Sequence, residues 1–261
     1  IFVEVAPMHV LASAQIGHEE RALEVARELL ARVAVHGAAP SREEAVALAR
    51  TAAPLILRGH VALAEQLIAC YQDRLDALAP AGSREQAFLV DAIALHALFV
   101  GDLPSVRRWK QLEVDCFRKL GQVRHEALQR VWLGYACLES GDFAAAIREL
   151  EEVLGIGERM ALGRVVALAK HNLGAAIARQ PVLGADELAR AERLERESVA
   201  LFDEQHDVRL SSAARTYLAE ILLRAERLDE AARVAEEAYR LAPTGAPALA
   251  SAAATWARVL L

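Results

Sequence analysis

The clearest pattern along the chain is a pair of amphipathic runs separated by a short break, between Trp132 and Leu154. On both sides of Gly141-Asp142, apolar residues recur every three or four positions, which is the spacing of one face of an α-helix. Glycine can adopt the left-handed conformation that closes a helix, and an aspartate side chain can cap the helix that follows. The stretch therefore predicts two helices joined by a tight turn.

Similar breaks recur along the whole chain at nearly constant intervals. They lie at Gly17-His18, Gly59-His60, Gly101-Asp102, Gly141-Asp142, Gly184-Ala185 and Glu226-Arg227, and the intervals are 42, 42, 40, 43 and 42 residues. A steady period with a helical pattern on both sides of each break is typical of a solenoid of stacked helical hairpins. We therefore predict an all-α protein, built as a single α-solenoid domain of about six helix-turn-helix repeats.

The predicted repeats are separated by further turn residues. They cover about residues 1–38, 39–81, 82–121, 122–157, 158–206 and 207–244, and residues 245–261 have the pattern of the first helix of a further repeat. Because the chain begins at Ile1 and ends inside a helical pattern, we expect it to be a fragment of a larger protein.

Small and apolar residues keep their places relative to the breaks. Ala146 and Ala231 each lie five residues after a break, where a small side chain lets two helices approach closely, and Phe143 begins a second helix. The residues expected to define the repeat are Gly17, Gly59, Gly101, Gly134, Gly141, Asp142, Phe143, Ala146, Gly174, Ala231 and Pro243.

These positions resemble the tetratricopeptide repeat, whose pattern is Leu-Gly, then Gly-Asp-aromatic, then Ala, then Pro. The matching residues are Leu133, Gly134, Gly141, Asp142, Phe143 and Ala146 in the fourth unit, and Leu218, Ala219, Leu228, Ala231 and Pro243 in the sixth. The family's usual period is about 34 residues. Units of this greater length resemble the variant found in kinesin light chains and in the sensor arms of large bacterial regulators. The resemblance implies repeats wound into a right-handed superhelix.

The composition supports the all-α class and limits the classes of partner that we expect. Of the 261 residues, 54% are hydrophobic and 25% are charged, and the net charge is −6 with no long block of like charge. Binding to nucleic-acid phosphates needs a clustered basic surface. The most basic stretch, Arg107–Arg130, also contains acidic residues, and its aromatic Trp109 and Phe117 are interpreted as core residues. We therefore expect no nucleic-acid partner.

The cysteines and the hydrophobic stretches bear on the compartment. Cys70, Cys116 and Cys137 are odd in number and far apart, so they predict no disulfide framework, and a reduced, cytoplasmic setting fits them best. The most hydrophobic stretch, Ala87–Val100, contains Asp91 and is too short to span a bilayer. We expect a buried helix there and no membrane partner.

No motif in the sequence predicts catalysis, a metal site or a cofactor. Gly155-Ile156-Gly157 lacks the spacing and the preceding strand of a phosphate-binding loop, and we interpret it as a turn between repeats. His18-Glu19-Glu20 is not a zinc motif, because the residue four positions after His18 is Ala22. No GxSxG motif is present, and nothing indicates a base for a cysteine nucleophile. We expect no catalytic residues and a chain that is not an enzyme.

The resemblance to the tetratricopeptide family also implies a concave groove lined by the first helix of each repeat, with ligand contacts at fixed offsets. On this sequence the offsets select, as the predicted ligand-binding residues, Phe88, Asp91, Leu95, Leu98, Phe99, Leu128, Val131, Tyr135, Leu138, Glu139, Leu168, His171, Ala175, Arg179, Thr216, Glu220 and Arg224. Two interpretations of the apolar members remain open. They line an exposed groove, or they pack as core against neighbouring helices.

Three functional hypotheses follow from these observations. The leading hypothesis is a non-enzymatic protein–protein interaction module that binds a helix or an extended peptide in the groove. The second is an effector-sensing regulatory arm of a bacterial signalling protein, either a Ser/Thr kinase or a transcriptional regulator. The third is a structural or self-association scaffold, with a possible homodimer through the C-terminal helix at Ala246–Leu261.

Overall fold

The described part of the chain is built from α-helices and contains no strand. The computed structural model describes residues 2–15, 18–35, 39–243 and 247–261. Its α-helices are α1 (Phe2–Gln15), α2 (Glu19–Val35), α3 (Arg42–Leu57), α4 (Val61–Ala69), α5 (Leu75–Leu78), α6 (Arg84–Phe99), α7 (Leu103–Lys119), α8 (Val123–Glu139), α9 (Phe143–Arg159), α10 (Gly163–Ala178), α11 (Ala185–Glu204), α12 (Val208–Arg224), α13 (Leu228–Leu241) and α14 (Pro247–Leu260). A 3₁₀ turn, Gln72–Arg74, lies between α4 and α5. Among these helices, none combines the length and the apolar character needed to cross a bilayer.

The helices form hairpins, and the hairpins belong to two compact units, residues 1–129 (unit 1) and 130–261 (unit 2). In unit 1 the hairpins are α1/α2, α3/α4 and α6/α7. In unit 2 they are α8/α9, α10/α11 and α12/α13, followed by α14, while α8 begins in unit 1. We call the two members of each hairpin its first and second helix. Helix α14 occupies the place of a first helix, because it contacts both α12 and α13.

In unit 1 the first helices pack against one another in chain order. Helix α1 contacts α3 and α3 contacts α6, and each also contacts the second helix of its own hairpin. Fully buried aliphatic side chains, among them Leu29, Leu48 and Leu89, fill the core of this unit. Burial of one such side chain stabilises a fold by ~1.5–3 kcal/mol. The apolar stripe on each helix therefore accounts for the stacking.

Unit 2 repeats this arrangement, and its small residues lie where helices come closest. Helix α10 contacts α12, and α12 contacts α14. A Cβ added to Gly134 on α8 would lie 2.7 Å from Cγ of Leu150 on α9. A Cβ on Gly174 would lie 3.1 Å from the carbonyl oxygen of Ala191 on α11. A larger side chain at either place would push two helices apart.

One recurring turn connects most of the helices. At Gly141, φ is 75°, its N–H donates to the Leu138 carbonyl at 3.0 Å, and the Asp142 N–H donates to the Cys137 carbonyl at 2.9 Å, which together form a Schellman motif. The Asp142 carboxylate then accepts from the Ala145 N–H and caps α9. The same pair of backbone bonds ends helices at Gly59, Gly101, Gly121, Ala161, His206 and Glu226.

The interpretation of Gly155-Ile156-Gly157 as a turn is wrong. These residues lie inside α9, which continues to Arg159, so the boundary drawn between residues 157 and 158 falls within a helix. The turn is made instead around Ala161, which takes a left-handed conformation with φ 54°. Gly157 serves close packing, because a Cβ there would lie 3.0 Å from Cγ2 of Val166 on α10. A glycine inside a helix costs only about 1 kcal/mol relative to alanine, which this packing offsets.

The predicted all-α class and the stacking of helical hairpins are confirmed within each unit. The connection around Gly184-Ala185 is longer than a tight turn, since α10 ends at Ala178 and α11 begins at Ala185. Gly17, expected at the first break, lies outside the described residues.

Candidate functional site

Four charged residues of unit 2 form a ladder across its first helices. Arg179 Nη1 donates to Glu139 Oε1 at 3.0 Å, and Arg179 Nη2 donates to Glu220 Oε2 at 3.3 Å. The other oxygen of Glu220, Oε1, lies 2.9 Å from Arg258 Nη2. We call Glu139, Arg179, Glu220 and Arg258 the charge ladder. Its residues belong to α8, the C-terminal end of α10, α12 and α14, and their charges alternate in sign.

The ladder contributes little to stability, because its side chains remain partly exposed. The exposed fraction of the side chain is 33% for Glu139 and Arg179, 25% for Glu220 and 55% for Arg258. Ion pairs at this exposure contribute ~0–1 kcal/mol each. The ladder therefore matters as a set of positioned, accessible charges on one face of unit 2.

Aromatic side chains lie next to the ladder and hold Arg179 in place. The guanidinium carbon of Arg179 lies 4.7 Å from the ring centroid of Tyr217, and the His171 ring stacks on the same tyrosine with centroids 4.5 Å apart. Burial raises the pKa of Tyr135 to about 12. Burial opposes the charge of Arg179, but Tyr217, Glu220 and Glu139 outweigh it and raise the pKa of the guanidinium. Arg179 is therefore a permanent cation.

A buried pair of residues, His171 and Glu195, lies behind these aromatic side chains. His171 Nδ1 and Glu195 Oε1 are 2.6 Å apart, and Glu195 is fully buried between α10 and α11. Burial raises the pKa of Glu195 to about 7, although the nearby His171 lowers it in part. The second oxygen, Oε2, has no hydrogen-bond partner among the described residues and lies 2.8 Å from the place a Cβ on Gly174 would take. Glycine at position 174 thus makes room for the carboxylate.

A cavity of about 410 Å³ adjoins the ladder between α10, α12 and α14. Its apolar lining comes from Ala175, Ala178 and Ile221, and its polar lining from Arg179, Tyr217, Glu220, Arg224 and Arg258. Ligand sites are typically concave, of ~300–1,000 Å³, and mainly apolar with a few placed polar groups. This cavity has the size of such a site, and polar side chains form more than half of its lining residues. We call the surface formed by the ladder and this cavity the first-helix face of unit 2.

Unit 1 contains a second cavity, of about 480 Å³, formed by the 3₁₀ turn with α5, α6 and α7. Its lining residues are Gln72, Asp73, Arg74, Leu75, Asp76, Ala77, Gln86, Trp109 and Leu112.

The predicted groove residues of unit 1 mostly make structural contacts. Phe88 packs beneath two guanidinium groups, those of Arg50 and Arg84, at 5.2 and 5.4 Å from its ring centroid. Asp91 accepts from the buried Lys110 Nζ at 2.5 Å. Leu95 is buried, and Phe99 and Leu128 are half-buried. These residues do not form one exposed apolar stripe within the unit.

Unit 2 separates its predicted groove residues into two groups. Val131, Leu138 and Thr216 are each 2% exposed and pack as core, which matches the second interpretation of the apolar members. Tyr135, His171, Arg179 and Glu220 are instead brought together around Tyr217 and the charge ladder.

Several residues of this face were absent from the predicted set. Arg258 has a signal in the sequence, because it continues the predicted series Glu139, Arg179 and Glu220 at intervals of 40, 41 and 38 residues with alternating charge. Tyr217 is adjacent to a predicted contact, so a shift of one position would have found it. Glu195 has no signal, since it lies among many acidic residues of α11 that remain in solvent.

Comparisons with known proteins support the fold. No protein-family model matches the chain, and a search of curated proteins gives no match either. Among solved structures, the chain is similar to a Signal Transduction ATPase with Numerous Domains (STAND) protein with a tetratricopeptide repeat sensor from Pyrococcus horikoshii. The TM-score is 0.65 at 14% sequence identity, over 97% of this chain and 38% of that one. This likeness shows a tetratricopeptide-like repeat fold, and the chain spans well under half the length of that protein.

Proposed function

We propose that this chain is a non-enzymatic protein–protein interaction module, which binds a helix or an extended peptide of a partner on the first-helix face of unit 2. The charge ladder is the observation that carries this proposal. It presents Glu139, Arg179, Glu220 and Arg258 along one face, with a cavity of mixed apolar and polar lining beside them. A peptide with charges of both signs and one apolar side chain complements this surface.

The chemistry of the face favours recognition. Arginine and tyrosine are enriched among the residues that dominate binding energy at protein interfaces, and Arg179 and Tyr217 are held rigidly by their neighbours. Rigid side chains lose little conformational entropy when a partner binds. Because the ion pairs are partly exposed, a partner can exchange its own charged groups for them at low cost. We expect the affinity to fall as salt concentration rises.

The test is a selection of peptides from a phage-displayed random library against the intact chain, followed by affinity measurements on two variants. Arg258→Glu reverses one ladder charge, and Arg240→Glu is its matched control on α13, where Arg240 Nη2 pairs with Glu236 Oε1 at 2.5 Å. We expect Arg258→Glu to weaken selected peptides about tenfold, which corresponds to ~1.4 kcal/mol, and Arg240→Glu to leave them unchanged. If no peptide is enriched, or both variants behave alike, the first-helix face is not the binding site.

The state of the thiols supports a proposal for the compartment. None of Cys70, Cys116 and Cys137 forms a disulfide, and burial raises the pKa of the Cys70 and Cys116 thiols, which lowers their reactivity. We propose a reducing compartment, the cytoplasm, for this chain.

The cavity of unit 1 favours a second candidate, an effector-sensing arm of a signalling protein. Its volume of about 480 Å³ suits a small molecule. The similar structure from Pyrococcus horikoshii is described as carrying a tetratricopeptide repeat sensor, which supports the same role here. A thermal-shift screen against small metabolites tests this candidate, because a ligand that binds the folded state raises the melting temperature. A screen without any shift would reject the sensor role.

A further inference from the structure

The cavity of unit 1 exists because one second helix is interrupted. Helix α4 ends at Ala69 after only 9 residues, whereas the other second helices of the described chain run for 14 to 20 residues. A 3₁₀ turn and the four-residue α5 follow. A stretch of 3₁₀ helix inside a helical element often marks a functional hinge or a strained segment. The displaced backbone leaves space against α6 and α7.

Tyr71 holds the interruption in place. Its side chain is fully buried, and its hydroxyl donates to the Leu89 carbonyl on α6 at 3.2 Å. The backbone at Tyr71 leaves the helical region, with φ −135° and ψ −19°, at the residue that makes this buried hydrogen bond. The cavity is therefore a built feature of the hairpin, anchored by a specific side chain.

Gln86 gives the cavity an unused hydrogen-bond donor. The residue is only 6% exposed, and its Oε1 accepts from the Gly82 N–H at 2.7 Å and from the Cys116 thiol at 3.4 Å. Since its oxygen is held by these donors, the –NH₂ group is the part of the side chain left for the cavity it lines. That group donates to no residue of the described chain. An unpaired donor on a mostly buried side chain favours a ligand atom or a water that accepts from it.

The remaining lining residues define what else a ligand must carry. Asp73 and Asp76 are exposed carboxylates at the edge of the cavity, with Arg74 as the one cation among its lining residues. Trp109 and Leu112 provide a half-buried apolar wall. The donor of Gln86 calls for a carbonyl or carboxylate oxygen, the two aspartates for an ammonium group, and the wall for an apolar side chain.

We propose that this cavity binds a free α-amino acid or amino-acid amide with an apolar side chain. The carbonyl oxygen accepts from Gln86, the ammonium group pairs with Asp73 and Asp76, and the side chain packs on Trp109 and Leu112. This inference names the ligand class of the second candidate function and rests on it. It is independent of the peptide-binding face of unit 2.

Calorimetric titration of the intact chain tests the inference. The probes are L-leucine, L-phenylalanine and L-phenylalaninamide, with N-acetyl-L-phenylalanine as the analogue without an ammonium group and phenethylamine as the analogue without a carbonyl. We expect saturable binding of at least one of the first three probes below about 10 mM, and at least about tenfold weaker binding of both analogues.

Two variants and a control locate the binding. Gln86→Glu keeps the oxygen that accepts from Gly82 but removes the –NH₂ donor, and Asp76→Asn removes one carboxylate from an exposed position. Each should weaken the bound probe about tenfold. The control, Asp115→Asn, lies on the exposed side of α7 and should leave the affinity unchanged.

Three results would overturn the inference. The first is no saturation by any of the three amino-acid probes. The second is equal binding of N-acetyl-L-phenylalanine or phenethylamine, and the third is equal binding by Asp76→Asn, which cannot act through a folding defect because the side chain is exposed. If the first result is found while a metabolite of another class raises the melting temperature, this inference fails and the sensor role stands.

Discussion

Gly174→Ala tests how tightly α10 and α11 enclose the buried carboxylate of Glu195. A Cβ at position 174 would lie 2.8 Å from Glu195 Oε2 and 3.1 Å from the Ala191 carbonyl oxygen. The carboxylate is not free to rotate away, because its Oε1 is joined to His171 Nδ1 at 2.6 Å. Overpacking of this kind costs ~1–3 kcal/mol, while alanine regains up to about 1 kcal/mol through its higher helix propensity. We expect the free energy of unfolding to fall by about 1–2 kcal/mol.

Urea denaturation followed by circular dichroism measures this loss, and the same helix supplies its control. A Cβ on Gly163, at the start of α10, would meet nothing within 4 Å, so Gly163→Ala should be neutral or stabilise by up to about 1 kcal/mol. In a Glu195→Ala background the nearest obstacle is gone, and the cost of Gly174→Ala should shrink by more than about 0.5 kcal/mol. Equal stability of the two alanine variants, or an equal cost in both backgrounds, would refute the reasoning.

Three further predictions concern buried charges and packing. The pKa of Glu195 is about 7 in the folded protein, against 4.5 for an ordinary glutamate. Protonation of Glu195 therefore contributes stability that is fully present below pH 4.5 and is lost as the pH rises through about 7. Glu195→Gln should therefore flatten the pH dependence of unfolding across this window by roughly 3 kcal/mol, measured by denaturation at several pH values. Lys110→Met, which removes the cation beside the buried Glu113 carboxylate and the partly exposed Asp91, should cost ~3–5 kcal/mol in the same assay, whereas Lys119→Met on the exposed end of α7 should cost under about 1 kcal/mol. Gly134→Val should overpack Leu150 and cost ~1–3 kcal/mol, and a midpoint of thermal unfolding equal to that of the wild type would contradict the close contact of α8 with α9.

Much of the fold could be predicted because its signals are local. The breaks at Gly59, Gly101 and Gly141 each require a left-handed residue, and glycine adopts that conformation without the steric cost that other residues bear. The turns at Ala161 and His206 carry no such signal, since both take the same conformation without being glycine. The packing of the flanking helices offsets the free-energy cost of the left-handed conformation at these two residues, and sequence patterns do not reveal that packing.

The candidate site was only partly predictable, because helical periodicity does not distinguish a core position from the wall of a groove. Leu95 and Val131 have the same spacing as exposed residues of their helices, yet both are buried. The charge ladder was visible as a recurrence at nearly the repeat period, since stacked repeats place equivalent positions side by side. The sequence did not indicate that the –NH₂ group of Gln86 is available to a ligand. That availability depends on the Gly82 N–H and the Cys116 thiol, which donate to the oxygen of the same side chain.

The sequence by itself determined the helices, their ends and the fact that they stack, because hydrophobic periodicity and turn chemistry act over a few residues. Only the tertiary structure decided which charges are buried, as for Lys110 and Glu195, and which are exposed, as for Arg258. The free energy of a charge depends on the groups and the solvent around it, and those surroundings come from segments far apart in the chain.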